Sequence, residues 1–298
     1  MSPITLVEGR RLALTNLDKV LYPATGTTKA EVVHYYATTA DALLAHLHDR
    51  PVSFLRYPDG PDGEKFFTKN VPPGTPAWVR TTEVPSSTAT SRRQVLLQDM
   101  ASLMWAANLV VELHTPQWTA DRPRVADRLV LDLDPGAPAT IVECCAAALW
   151  LRERLKADGL VAYAKTSGSK GLHILAAIEP TPSANVTAYA KSIAIEAERT
   201  FPDRIVHKMT KALRPGKVFI DFSQNAAAKT TATPYTLRAR PLPTVSTPVT
   251  WQEVADCTDP RELDFRHDQA AARYERDGDL LRPLLDTGDA GPLPPGHR

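Results

Sequence analysis

The chain has 298 residues, 43% of them hydrophobic and 23% charged; this is the composition of an ordinary globular protein and excludes a fibrous or broadly disordered one. Its 35 Lys and Arg nearly cancel its 34 Asp and Glu, so a nucleic-acid partner would have to be met by a local basic patch. Three cysteines, Cys144, Cys145 and Cys257, fit neither a disulfide framework nor a zinc ligand set, and the expectation is a reduced, cytoplasmic protein. MSPITLVEGR is not a signal peptide, and no apolar run is long enough to span a membrane, so no membrane partner is expected.

In chain order, Thr28-Lys-Ala-Glu31 is a capping box, followed at helical spacing by Val32, Val33, Tyr36, Ala40, Leu43, Leu44 and Leu47. RPVSFLRYP and KFFTK flank the turn-rich PDGPDGE and predict a hairpin. A second helix is expected from about Asp99 to Leu113, and a third from the capping box Thr140–Glu143 through LWLRERL to a stop at Gly159. A fourth lies within NVTAYAKSIAIEAERTF, and Thr250–Glu253 caps a shorter one. RLVLDLD, LVAYAKT, GLHILAAI and KVFIDFS are β-rich runs bounded by Gly, Pro or Ser. The pattern predicts a mixed α/β sheet of the α+β type carrying helices, preceded by a helical and hairpin subregion. A single domain is expected over 1–286, with an N-terminal subregion over about 1–80, a core over about 95–245 and a helical segment over about 250–286. TGDAGPLPPGHR, 287–298, is expected to be a flexible tail.

In LVLDLDPGAP, alternation puts Val130, Asp132 and Asp134 on one face of a strand and Leu129, Leu131 and Leu133 on the other. Two carboxylates that close repel unless a cation or a shared proton offsets them, and hard divalent ions such as Mg²⁺ or Mn²⁺ favour oxygen ligands of this kind. The same letters also describe a solvated strand end with ordinary turn chemistry. Asp221 interrupts a second apolar strand, VFIDFS, and three aspartates from two strands suit a two-metal site for phosphoryl or nucleotidyl transfer.

KTSGSKGLHIL supplies a turn of glycines, serines and Lys170 that can cradle an anion, although the Walker A spacing is absent. His173 can face the cleft from the start of the next strand; alone, it would be an ordinary structural histidine. Lys208, Lys211, Arg214, Lys217, Lys229, Arg238 and Arg240 cluster around Asp221 along the chain. They are read as lining a cleft, with Lys217 towards the nucleotide and Arg214 towards DNA, against the bland reading of a solvated loop.

LVLDLDPG, TSGSKGLH and VFIDFSQN…KTTATPYTLRARP, in that order, resemble the motifs of the archaeo-eukaryotic primase superfamily, and more closely those of the polymerase domain of bacterial end-joining ligase D. The match runs from LTNLDKVLYPATGTTKAEV to DGDLL. No ligase K-x-D-G motif is expected in the chain, so a stand-alone polymerase or an isolated domain is expected. The resemblance implies a primase-polymerase core with an RRM-like module and a nucleotidyltransferase site using two Mn²⁺ or Mg²⁺ ions. Asp132, Asp134 and Asp221 match the metal ligands; Ser167, Lys170, His173 and Arg238 match residues holding the incoming nucleotide, and His114 matches an active-site histidine. Arg56, Phe66 and Phe67 match residues near the template, and Leu55 stands where some members carry a basic residue. Asn16, Lys19 and Lys29 match a pocket for a DNA 5′-phosphate. The position of Lys29 at a helix start, where an anion is favoured and a cation is not, supports that pocket independently.

The implied activity is template-directed addition of nucleotides, with ribonucleotides preferred, filling gaps and extending ends in double-strand-break repair by non-homologous end joining. DNA gaps, breaks and 5′-phosphate ends, NTPs and dNTPs are the implied partners, with a Ku-like protein and an ATP-dependent DNA ligase as candidates. A metal-dependent phosphodiesterase would use the carboxylates but leave the triphosphate cradle surplus. A non-catalytic end-bridging module would leave the three aspartates unexplained.

Overall fold

The computed structural model describes residues 4–85 and 91–297; part of the polar segment TTEVPSSTATSRRQ lies outside the described residues. The chain divides into two compact units: Met1–Thr115 with Ala232–Ser246 and Phe265–Gly278, and Pro116–Thr231 with Thr247–Asp264 and Asp279–Arg298. Each unit is completed by segments returning from far along the chain. The first boundary falls inside VELHTPQW, where no linker composition marks it.

In the first unit, helices Lys29–Thr38, Ala40–Leu47, Met100–Asn108 and His267–Asp277 accompany the antiparallel strands Ser53–Arg56, Phe66–Thr68 and Val111–Thr115. The Thr28–Glu31 capping box forms as expected, as does the hairpin between Phe54 and Thr68. Tyrosines fill much of this core with their hydroxyls satisfied: Tyr35 donates to the Tyr235 carbonyl and Tyr36 to the Val111 carbonyl, both at 2.8 Å.

The second helix stops five residues earlier than its apolar pattern suggests. Asp99 caps it, Leu109 closes it, and Val110 takes φ +58° before the chain becomes the strand Val111–Thr115. The run NLVVEL is apolar enough for either structure, and the β-branched Val110-Val111 pair favours the strand.

The second unit is built on a six-stranded sheet in the order Ile205–Val206, Val218–Asp221, Val125–Pro135, Leu172–Pro182, Ala162–Thr166, Pro248–Val249. All neighbours are antiparallel except the first pair. Helices Ile141–Ala157, capped by Thr140 and Glu143, and Ser183–Thr200 pack on the sheet. Leu129, Leu131 and Leu133 are completely buried, each contributing about 1.5–3 kcal/mol. On the alternate face, Val130, Leu175 and Ala177 are covered by Leu281 and Leu284. The expected flexible tail is in fact tied to this sheet: Gly291 pairs with Ile178, its carbonyl accepts from Glu179 N at 2.9 Å, and Leu293 is buried. Pro and Gly composition conceals an anchor made of backbone bonds and one leucine.

Candidate active site

Within the second unit, four charged or titratable residues stand in a row across four neighbouring strands. Asp221 pairs with Asp132, Asp132 with His173, and His173 with Lys165. Asp134 follows Asp132 on the same face, one step nearer the strand end. Like charges placed directly opposite on paired strands destabilise a sheet, and Asp132 faces Asp221 in this way. The donor set and the register therefore fit a hard divalent cation. The present side-chain orientations do not gather it: among the described residues no three His, Cys, Asp or Glu side chains form a ready metal-ligand set. The Asp221 carboxylate instead accepts from Ser223 N at 2.9 Å, Ser223 Oγ at 2.6 Å and Gln224 Nε2 at 2.9 Å, holding the turn that ends its strand.

His173 is oriented from both sides. Lys165 Nζ lies 3.0 Å from its Nδ1, and its Nε2 lies 3.3 Å from Asp132 Oδ1. A protonated Lys165 can only donate, which puts the ring proton on Nε2, towards the aspartate. Lys165 is 1% exposed. The sequence reading missed it, although it interrupts an apolar strand just as Asp221 does.

The Ser167–Gly171 turn lies against the aspartate strand. A Cβ on Gly171 would stand 1.8 Å from the Leu133 carbonyl oxygen, and Gly168 takes φ +66°, so glycine is required at the first and favoured at the second. Ser167 Oγ accepts from Ser169 N and Gly171 N, at 3.2 and 3.1 Å, and so shapes the turn. Lys170 is exposed on it. Arg214 stacks over Phe219, its Cζ 3.6 Å from the ring centroid, and Lys217 Nζ donates to the Pro202 carbonyl at 2.6 Å.

Within the first unit, Glu112, His114 and Arg238 form one network. Glu112 Oε2 accepts from His114 Nε2 at 2.9 Å and from Arg238 Nε at 3.0 Å, and Oε1 accepts from Ala239 N at 2.6 Å. Burial pushes the Glu112 carboxyl up, but the His114 hydrogen bond and the Arg238 charge outweigh it and hold the group at about 2. Glu112 was also missed, although it alternates with His114 on the same strand face. Phe66 and Phe67 are 45% and 54% exposed, which rules out a core role. They point to opposite faces: Phe67 shares a row with Leu55 and Glu112 and meets His114 edge-on at 6.1 Å, whereas Phe66 pairs with Arg56. Arg56 Nε is buried and makes no hydrogen bond among the described residues.

Also in the first unit, Asn16 takes φ +53° and its carbonyl accepts from Lys19 N at 3.0 Å. Lys19 Nζ contacts Asp59 Oδ1 at 2.5 Å and the Pro58 carbonyl at 2.8 Å. The backbone nitrogen of Lys29 bonds the Lys19 carbonyl at 2.8 Å, so the two lysines start from adjacent backbone. Burial, then the neighbouring Lys19, lowers the Lys29 ammonium to about 8. A buried ammonium depressed in this way is suited to an anion.

A family model described as the LigD primase-polymerase domain matches residues 28–281. The chain belongs to this family. The LigD primase-polymerase domain is a nucleotidyltransferase acting in DNA repair, and its family is metal-dependent. The chain is 41% identical over 285 residues to the multifunctional non-homologous end joining DNA repair protein LigD of Mycobacterium tuberculosis strain H37Rv, covering 92% of this chain and 37% of that protein. It is 31% identical over 253 residues to the bifunctional non-homologous end joining protein LigD of Bacillus subtilis, covering 84% of this chain and 40% of that one. It thus spans less than half the length of these relatives. The solved polymerase domain of Mycobacterium tuberculosis ligase D, in complex with DNA, matches with a TM-score of 0.88 and 40% identity over 94% of this chain and 99% of that one.

The primase-polymerase assignment also disposes of one match by letters. Contrary to the expectation that no K-x-D-G occurs, Lys156-Ala-Asp-Gly159 has the form of that ligase motif, yet it is the end of a helix. Lys156 has a 78% exposed side chain, Asp158 pairs with Arg154 at 2.7 Å and accepts from Tyr189, and Gly159 takes φ +79°. Among the described residues no helix is long and apolar enough to cross a membrane.

Proposed function

We propose that this primase-polymerase domain adds nucleotides, with ribonucleotides preferred, to primer ends at gaps and breaks in DNA during end joining. The observation that carries the proposal is the in-register row Asp221–Asp132–His173 beside the Ser167–Gly171 turn, in a chain of this family. Asp132, Asp134 and Asp221 would hold two Mn²⁺ or Mg²⁺ ions. When bound, such ions lower the pKa of the primer 3′-hydroxyl and offset the charge of the triphosphate and the leaving pyrophosphate.

The chain's own groups are assigned as follows. Lys170 supplies positive charge to the phosphates from the tip of a turn whose shape Ser167 fixes. His173, held by Lys165, presents Nε2–H beside Asp132. Arg238 and His114 belong to the nucleotide-binding set by resemblance, and Lys217 joins them from the basic cluster around Asp221. Arg56, Phe66 and Phe67 belong to the DNA-contacting set by resemblance and Arg214 by its place in the same cluster, and aromatic faces stack on bases without reading sequence. Asn16, Lys19 and Lys29 take the 5′-phosphate on the far side of a gap. A Ku-like protein and a DNA ligase in a bacterial cytoplasm complete the reading.

The test is extension of a primer on gapped DNA, with and without a downstream 5′-phosphate, using ribo- and deoxynucleotides in Mn²⁺ or Mg²⁺. Extension with pyrophosphate release, lost in Asp132→Ala, is the expected result. Release of mononucleotides instead would make the protein a phosphodiesterase. DNA binding without addition under every condition would leave an end-bridging module.

A further inference from the structure

We propose that Glu112 is a positioning residue that fixes the direction of the Arg238 guanidinium and the tautomer of His114 at the same time, the two groups that the resemblance assigns to nucleotide binding. The inference rests on the polymerase reading and deepens it, since nothing in the motifs quoted for the family's active site includes this glutamate.

Glu112 cannot serve by touching the substrate. Its side chain is 3% exposed, and both oxygens are already occupied by donors from three different residues: His114 Nε2, Arg238 Nε and Ala239 N. An anion also has no direct use beside a triphosphate. What it does hold is the two side chains that the family resemblance assigns to the active site in this unit. A contact at Nε occupies one of the five N–H donors of a guanidinium and sets the direction of its plane. Accepting from His114 Nε2 puts that ring's proton on the nitrogen facing the glutamate and leaves Nδ1 as the acceptor of the neutral ring.

The backbone beneath Arg238 is pinned to match. Its carbonyl accepts from Tyr22 Oη at 2.9 Å, Tyr22 Oη in turn accepts from Tyr57 Oη at 2.9 Å, and Arg238 N donates to the Thr244 carbonyl at 2.8 Å. With main chain and Nε both fixed, the guanidinium is pre-organised and loses little freedom when phosphate binds. A merely structural role is the poorer account. A buried ion pair is weak support for a fold, and apolar residues of the same volume serve as well or better. The strong depression of the Glu112 carboxyl shows that this site keeps a full negative charge in place.

Glu112→Gln is the informative variant. All three groups facing the side chain are donors, so the amide nitrogen of glutamine must oppose one of them while volume stays constant. The experiment measures KM for the nucleoside triphosphate, kcat, affinity for gapped DNA, and thermal melting in wild type, Glu112→Gln, Arg238→Gln and the double variant.

The expected result is a KM raised about tenfold or more with DNA affinity close to wild type, while melting falls because a buried donor is left facing the amide and Arg238 loses its counter-charge. That factor is roughly the value of one charge-assisted hydrogen bond, at 1.4 kcal/mol per decade. The double variant should lose less than the product of the two single losses, because the glutamate acts partly through the arginine and partly through His114. An unchanged KM, or losses that multiply in the double variant, would overturn the inference. A fall in DNA affinity and melting with no separate change in KM would make Glu112 structural, and would overturn it equally. If Glu112→Gln does not fold, Glu112→Asp keeps the charge but withdraws it by one methylene. Its KM must then lie between wild type and Arg238→Gln, and a wild-type KM would refute the role. Wild type failing to add nucleotides defeats the polymerase reading itself; active wild type beside an unaffected Glu112→Gln defeats this inference alone.

Discussion

Asp132 and Asp221 are direct cross-strand partners in an antiparallel pair. Two carboxylates so placed weaken the sheet by on the order of 0.2–1 kcal/mol relative to neutral residues. A divalent cation reverses the sign of that interaction. Asp132→Asn should therefore separate stability from activity. Melting without metal is expected to hold or rise slightly in the variant, whereas nucleotide addition falls about a thousandfold, the equivalent of several kcal/mol of lost charge stabilisation. Added Mn²⁺ should raise the melting temperature of wild type and leave that of the variant unmoved, and chelation should abolish wild-type activity reversibly. Scanning calorimetry and primer extension read both halves. Equal metal-induced stabilisation of the two proteins would remove Asp132 from the ligand set.

Lys165 and His173 give the second prediction. Lys165→Met keeps an unbranched chain of similar volume in a fully buried place but withdraws the donor that meets His173 Nδ1. The histidine then loses the contact that sets its tautomer. Nucleotide addition should fall about 10–100-fold, the usual loss when a group that orients a functional side chain is removed, with melting little changed. A two-dimensional NMR spectrum of the imidazole nitrogens would show the tautomer directly. A wild-type pattern in Lys165→Met would refute the orienting contact.

The strands and capping boxes were legible because each rests on local chemistry. Thr28, Thr140 and Thr250 each have a glutamate three residues on, and all three boxes form. Alternation in LVLDLD puts the leucines in the core and the aspartates away from it, as the fold has them. What stayed hidden was long-range. The pairing of Asp132 with Asp221 spans 89 positions of sequence, and no local signal sets that register. Glu112 was hidden because its helix-like neighbours carried the second helix too far. Lys165 gives a weaker signal than Asp221, because a lysine stem can lie along apolar surface with its ammonium in water whereas a short aspartate cannot. The division into two units follows returning segments, which composition cannot mark.

The two phenylalanines of KFFTK should not behave alike. Phe67 is on the face of Leu55 and Glu112, and Phe66 is on the other. Phe67→Ala is expected to weaken binding of a primer-template by about 1–3 kcal/mol, the value of one base–aromatic stack. The loss should be similar for DNA of different sequence, and Phe66→Ala should lose less. Both are exposed, so neither variant should melt early. Fluorescence anisotropy on two unrelated DNA sequences checks this; equal losses in the two variants would mean that strand face does not govern the contact.

Lys29 makes recognition of a 5′-phosphate pH-dependent, and the sign follows from its titration. Its ammonium is lowered to about 8, first by burial and then by Lys19, against about 10.4 in an unfolded chain. The charged form is therefore disfavoured in the folded protein, and a phosphate dianion that binds there restores it. Stimulation of gap filling by a downstream 5′-phosphate should be strongest below about pH 8 and should decay as pH rises through that value, while extension of a primer without the phosphate follows its own profile. The same shift acts on stability in the opposite sense. Below about pH 8 the folded protein bears the penalty of a buried charge. Between about 8 and 10.4 the unfolded chain binds more protons than the folded one, so the penalty is relieved as pH rises. Lys29→Met should consequently melt higher than wild type at pH 7, lose that advantage by about pH 10, and show no phosphate stimulation at any pH. A phosphate effect that is constant from pH 7 to 9 in wild type would take Lys29 out of the pocket.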